Sequence, residues 1–250
     1  MSDYDEIAAD LPDPFRILWR DKVSSTNDEL RELAEKGMAG GLVLSAEEQT
    51  AGRGRRGAAW LSPKGENLAF SVLLRPEAGK RFWSRLSLVA GLAVAEALEK
   101  LVPLAEIKWP NDVQIGGKKV AGILVEAGAD FVIVGIGINV NTDAFPEGLA
   151  ATSLRMECGR EVPRAEALLD VVTRLARHSG RIEGDFGSVL RGIAERCALT
   201  GKRVAFTSLG ERREGLVKGM GGGGELLVEI SGKTESIVQA DEVRLVATAE

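Results

Sequence analysis

The chain has 250 residues, 44% hydrophobic and 28% charged, with a formal net charge of −5. That composition describes a globular protein with one sizeable core and room for a small second domain, and it excludes a disordered chain. The negative balance also excludes the basic face that general nucleic-acid binding needs.

Two cysteines, Cys158 and Cys197, are too few for a disulfide framework or a zinc site, so a reducing cytoplasm is expected. Residues 1–10 carry Asp3, Asp5, Glu6 and Asp10 and lack the basic and apolar regions of a signal peptide. The longest apolar stretch, Leu86 to Leu98, is interrupted by Ser87 and Glu96. It falls short of the ~20 residues of a membrane span and reads as a buried helix, so no membrane contact is expected.

In chain order, Phe15 to Trp19 reads as a first strand. Ser24-Ser25-Thr26-Asn27-Asp28-Glu29 follows, a cluster of N-cap residues with acids in the first turn, then Leu30, Leu33 and Ala34 at helical spacing and Gly37 as a stop. On these residues alone a well-capped helix is the simpler reading, and a polar ligand pocket at the helix N-terminus is the alternative.

Gly41 to Ala46 reads as a strand leading into the run Gln49 to Trp60, whose core is Gly52-Arg53-Gly54-Arg55-Arg56-Gly57. Glycines let the backbone approach a ligand, and arginines present planar forks to phosphate or carboxylate. A loop that closes over an anion is expected, with residues 52–60 mobile until the ligand arrives. The string also satisfies G-x-G-x-x-G, but a dinucleotide fingerprint requires a helix to open within it. Ala58-Ala59-Trp60-Leu61-Ser62-Pro63 is a poor helix start, which sets that reading aside.

Leu68, Phe70, Val72 and Leu74 alternate in a strand with a mostly apolar second face, which predicts burial on both sides. Phe82 to Leu101 reads as a central helix, with Glu96 and Lys100 paired on its solvated edge. Glu106 to Asp112 runs from a strand into a proline-broken turn, and Gly116-Gly117 joins two strands as a hairpin ending near Glu126. Phe131 to Val140 completes a meander. Gly135 and Gly137 inside it weaken a strand unless a ligand or another backbone must come close.

Residues 163–182 and 188–197 read as helices, and His178, the single histidine, as a surface residue. Beyond Thr200-Gly201, short strands at 203–208, 214–218, 225–230 and 234–238 indicate a small β barrel or sandwich, so a domain boundary is expected near residue 199. Gly232-Lys233-Thr234 is not a P-loop, because Leu227 stands where the motif needs glycine. One histidine also makes a Ser-His-Asp or Cys-His hydrolase a poor fit.

What remains is a set without a nucleophile: the hydroxyls and amide at 25–27, Gln49, Arg53, Arg55, the turn from Lys108 to Asp112, Lys119, and Gly135 to Asn139. Cations and hydrogen-bond donors in this number suit a reaction that joins a carboxylate to a phosphate, where positioning and charge stabilisation carry catalysis.

Ser25-Thr26-Asn27, the run Gln49 to Gly57, Lys108-Trp109-Pro110-Asn111-Asp112, the run Lys119 to Glu126 and the run Gly135 to Val140 resemble, in order, the signatures of biotin protein ligases. The similarity covers roughly residues 15–245. It implies an α+β fold: a class II synthetase-like catalytic domain at 1–199, with a central mixed, partly antiparallel sheet flanked by helices, and an SH3-like β barrel at 200–250.

The resemblance also implies an ATP-dependent ligase. Biotin and ATP would give biotinyl-5′-AMP, and biotin would then pass to a lysine of a biotin carboxyl carrier domain such as that of acetyl-CoA carboxylase. Ser25, Thr26, Asn27, Gln49 and Gly122 would bind biotin. Arg53, Gly54 and Arg55 would hold its carboxylate and the α-phosphate, and Lys119 would be the main charge stabiliser beside them. Arg55, Trp60, Lys108, Asn111 and Asn139 would serve ATP, and Asp112 a Mg²⁺ ion.

Two departures matter. Repressor-type members carry a winged helix-turn-helix before the catalytic domain, and only about two dozen residues precede Ser24 here, so DNA binding is expected to be missing. Ala58-Ala59 replaces the basic residue often found after the loop. A lipoate ligase of the same fold, a nucleic-acid module and a non-catalytic biotin-binding protein are the competing readings. The unbroken arginine loop, the acidic charge and Lys119 weigh against each in turn. A homodimer through the strand at 131–140 or another sheet edge is left open.

Overall fold

Strands that are apolar on both faces need cover on both, and two segments have this character: Leu68–Leu74 and Val132–Ile138, each buried along its whole length. They pair antiparallel at the centre of a seven-stranded sheet. The computed structural model describes residues 3–102 and 104–246. After a short helix α1 (Asp3–Ile7), β1 (Arg16–Val23) is joined by α2 (Thr26–Glu35) to β2 (Leu42–Gln49), which lies parallel to it. β3 (Leu68–Leu74), α3 (Leu86–Leu98), β4 (Glu106–Lys108), β5 (Asp112–Ile115), β6 (Lys118–Ala127) and β7 (Val132–Ile138) follow, giving the order β1-β2-β3-β7-β6-β5-β4. The pairs other than β1 with β2 are antiparallel.

The two faces of this sheet bury different partners. Phe70, Val72, Val134 and Ile136 join the main core with α3 and α5 (Arg164–Ser179), while Leu44, Leu73 and Ile133 pack with Leu30 and Ala34 of α2. α3 is apolar nearly all round and sinks into the main core, as expected for a helix with no polar face. Two further helices, α4 (Leu154–Cys158) and α6 (Phe186–Glu195), complete the first layer. Among the described residues no helix is long and apolar enough to cross a membrane.

From Arg203 onward a second, antiparallel sheet forms: β8 (Arg203–Ser208), β9 (Glu211–Met220), β10 (Leu226–Ile230), β11 (Lys233–Ile237) and β12 (Asp241–Leu245), in the order β11-β10-β9-β8-β12. Trp109 Nε1 donates to Gly224 O at 3.0 Å, which ties this sheet to the turn after β4.

Several expectations need correction. The helix expected over 82–101 is a 3₁₀ segment at Lys80–Arg85 followed by the shorter α3. Glu96 and Lys100 do not pair: Glu96 lies 3.0 Å from His178 Nε2, and Lys100 bonds Asp170 at 2.7 Å, because α5 offers closer partners than the solvated helix edge. His178 is buried against Glu96, not on the surface. β7 is flanked by β3 and β6, so the strand at 131–140 has no free edge through which to dimerise. β12 follows Gln239-Ala240 and was not expected, since five mixed residues lack a clear alternation.

Candidate active site

Strand register creates the cavity. Gly122 of β6 stands opposite Gly137 of β7, Gly137 opposite Ala69 of β3, and Ala69 opposite Ala46 of β2. Gly135 stands opposite Ser71 in the next row. Alternation puts these residues on the face that also carries Ile133 and Leu73, but α2 covers only the end where those two sit. The small residues leave a space of about 520 Å³, a size suited to a small molecule. The strand glycines are thus required by close approach: a Cβ at Gly135 would meet Asn27 Oδ1 at 2.3 Å, and one at Gly137 would meet the Trp60 ring at 2.2 Å.

One end of the cavity is the N-terminus of α2. Ser25 is the N-cap residue but makes no side-chain cap bond, so its hydroxyl stays available. The sequence favoured a simple cap; the geometry favours the pocket. The Thr26 amide donates to Gln49 Oε1 at 2.8 Å. Ser71 Oγ lies 2.7 Å from Thr26 Oγ1 and 2.6 Å from Asn27 Oδ1, and Asn27 Nδ2 donates to Glu126 Oε2 at 2.6 Å.

The arginine loop folds over this end as a small turn. Gly54 N donates to Ala58 O at 2.6 Å and Trp60 N to Gly52 O at 2.9 Å, with Arg56 at φ 55° between them. Arg53 forks onto Asp28 with bonds of 2.5 and 2.6 Å. That pair of bonds holds the Asp28 carboxyl below its usual 3.8 and raises the Arg53 guanidinium, with burial opposing both shifts. Arg55 Nη1 donates to Asn111 Oδ1 at 3.3 Å, Arg55 Nη2 lies 3.9 Å from Asp241 Oδ1, and Arg56 Nη2 sits 2.6 Å from Asp241 Oδ2.

The other end carries Lys119, Asp112 and Trp60. Lys119 Nζ is 2.7 Å from Asp112 Oδ1 and lies over the Trp60 ring, 5.6 Å from its centroid. That ion pair occupies Asp112 Oδ1, whereas Trp60 Nε1 is buried with no hydrogen-bond partner. An orphaned indole donor in the lining of the cavity points to a polar ligand. Among the described residues no group of three His, Cys, Asp or Glu side chains is placed to hold a metal ion.

Of the residues expected from sequence, Ser25, Thr26, Asn27, Gln49, Arg53, Gly54, Arg55, Trp60, Asn111, Asp112, Lys119 and Gly122 line this one cavity. Lys108 and Asn139 do not. Lys108 pairs with Asp112 across the β4–β5 turn, and Asn139 is buried behind Lys119, donating to the Lys119 and Thr152 carbonyls at 3.4 and 3.1 Å. Asn139 therefore holds the backbone that carries Lys119. Sequence reasoning missed Asp28, Ser71, Glu126 and Asp241 as site residues. Asp28 looked like an ordinary first-turn acid, and the others reach the site only through sheet register or through the second sheet.

A sequence profile of the Biotin/lipoate A/B protein ligase family matches residues 19–143. The biotin–[acetyl-CoA-carboxylase] ligase of Paracoccus denitrificans is 35% identical over 221 residues, which cover 83% of this chain and 91% of that protein. The chain belongs to the biotin/lipoate A/B protein ligase family. Within that family, the biotin protein ligase of Aquifex aeolicus in complex with biotin and ATP superposes with a TM-score of 0.83 at 35% identity, covering 93% of this chain and 99% of that one. The bifunctional ligase/repressor BirA of Bacillus spizizenii is 39% identical over 166 residues, 62% of this chain and 51% of that protein. The chain thus spans about half the length of that family member. The mixed sheet with its small second β sheet is the architecture of the family's biotin ligases.

Proposed function

We propose that this chain is a biotin protein ligase that makes biotinyl-5′-AMP and transfers biotin to a lysine of a carrier domain. In the first step a biotin carboxylate oxygen attacks the α-phosphorus of ATP and the bond to pyrophosphate breaks. In the second the lysine amine attacks the acyl carbon and AMP leaves with the bridging oxygen.

The observation that carries this reading is the common cavity: a polar end at Ser25, Thr26 and Gln49, a glycine floor, and four cations, Arg53, Arg55, Arg56 and Lys119, in its lining. Each cation already faces an acceptor among Asp28, Asn111, Asp241 and Asp112. An incoming carboxylate and triphosphate would draw the same cations onto themselves, so charge is in place before the transition state forms. Asp112, a carboxylate in the cavity lining whose partner Lys119 would turn to the substrate, suits a Mg²⁺ ion held by one carboxylate together with substrate phosphates. Such an ion would neutralise the leaving pyrophosphate.

The polar end also favours biotin over lipoate. A cyclic urea satisfies hydroxyl and amide groups there, whereas a dithiolane ring would leave them buried and unpaired. Purified protein should exchange pyrophosphate into ATP only when biotin is present. Exchange with lipoate, or none with either, would overturn the assignment. With an added carrier domain, label from biotin should appear on its lysine and vanish when that lysine is arginine.

A further inference from the structure

The polar end of the cavity contains more hydrogen-bonding atoms than a ligand could reach, and counting their protons imposes a direction. Ser71 is fully buried and has one hydroxyl proton, yet its oxygen lies within bonding distance of both Thr26 Oγ1 and Asn27 Oδ1. Asn27 Oδ1 only accepts, so the Ser71 proton goes there. The Thr26 hydroxyl proton has two acceptors in reach, Ser71 Oγ at 2.7 Å and Gln49 Oε1 at 3.1 Å; Gln49 Oε1 already accepts from the Thr26 amide, so the proton goes to the closer Ser71. The orientation of Asn27 is in turn set by Glu126, whose carboxylate accepts from Asn27 Nδ2 at 2.6 Å. An ionised carboxylate has no proton to give, so the amide has one orientation open to it. Gly135 holds this amide against the sheet, because any side chain at 135 would collide with Asn27 Oδ1.

We infer that Glu126 is a positioning residue for biotin recognition, acting through Asn27, Ser71 and Thr26 to decide which cavity atoms donate and which accept. With the chain running toward Glu126, the Thr26 hydroxyl gives its proton to Ser71 and is left as an acceptor for a ligand, while the Gln49 amide, whose Oε1 accepts from the Thr26 backbone and lies 3.1 Å from Thr26 Oγ1, offers Nε2 as a donor. One acceptor beside one donor matches the N–H and C=O of a cyclic urea. Arg31 and Arg53 each lie 3.8 Å from Glu126 Oε1, so the same carboxylate also faces the arginine loop. This inference rests on the biotin reading above.

Glu126→Gln keeps the shape but supplies an amide that can donate to Asn27 Oδ1, which lets the chain reverse. In pyrophosphate exchange this variant should raise KM for biotin about ten-fold, the scale of one misdirected neutral hydrogen bond, and leave KM for ATP and the melting temperature near wild type. Asn27→Asp combined with Glu126→Gln restores an acceptor toward Ser71, a donor at 126 and one negative charge near Arg31 and Arg53. That double variant should return KM for biotin to within about three-fold of wild type. An unchanged KM in Glu126→Gln, equal changes in both KM values, or no recovery in the double variant would overturn the inference. If Glu126→Gln melts below the assay temperature, Ser71→Ala carries the same test, with the same expected rise in KM for biotin alone. Wild-type protein without biotin-dependent exchange would instead overturn the biotin reading itself.

Discussion

Asp241 Oδ2 lies 2.6 Å from Arg56 Nη2, so a strand near the end of the chain holds the middle of a loop that begins almost two hundred residues earlier. Asp241 is largely buried while Arg56 is mostly exposed, which makes the carboxylate the fixed partner and the loop the movable one. Asp241→Asn should free residues 52–60. Limited trypsin digestion should then cut after Arg53, Arg55 or Arg56 several-fold faster than in wild type, because cleavage follows the open population. Equal cutting rates would show that the contact does not restrain the loop.

Lys119 contributes charge and little packing. Its replacement by alanine should lower the adenylation rate by about 10²- to 10³-fold, the effect of removing one preorganised donor at a developing charge. The melting temperature should stay close to wild type, since the ion pair with Asp112 is partly solvated. Single-turnover formation of the acyl-adenylate is the measurement, and a wild-type rate would remove Lys119 from the chemistry.

Gly137 is required by Trp60. A methyl group at 137 would sit 2.2 to 2.6 Å from three atoms of the indole ring, too close for either to remain in place. Gly137→Ala should cost about 1–3 kcal/mol in stability, the usual range for overpacking, and weaken biotin binding by expelling the ring. Trp60→Ala in the same chain should recover most of the lost stability in a denaturant titration. Without recovery, the cost arises elsewhere.

The Asp28 carboxyl titrates lower than usual because Arg53 hydrogen-bonds it. A carboxyl depressed in the folded state adds stability that is present above the unfolded value near 3.8 and is lost as pH falls through the lower folded value. The Arg53 contact should therefore be insensitive to pH around neutrality and open only in acid below that value. A carbon-detected NMR titration of Asp28 should give a midpoint under 3.8 in wild type and a rise toward it in Arg53→Ala. An unchanged midpoint in that variant would remove Arg53 as the cause.

Much of the site was legible because its chemistry is written in contiguous runs. Arg53 and Arg55 lie in one glycine-rich loop, Ser25 to Asn27 sit together before a helical pattern, and Gly135 and Gly137 interrupt a strand where glycine needs a reason. Asn139 and Lys108, expected to serve ATP, do not line the cavity, because proximity in a motif does not say which way a side chain points. Asn139 is only one residue beyond β7, and its amide bonds backbone carbonyls instead.

The sequence by itself determined the local elements and the chemical inventory, since apolar alternation, capping residues and glycine turns act over a few neighbouring positions. Tertiary structure alone decided the pairing: that Gly122, Gly137 and Ala69 form one row, that His178 meets Glu96, and that Asp241 reaches the arginine loop. Register is set by burying both faces of the sheet at once, a condition that sums over strands far apart in the chain. That sum is also what turned isolated strand glycines into the floor of a cavity.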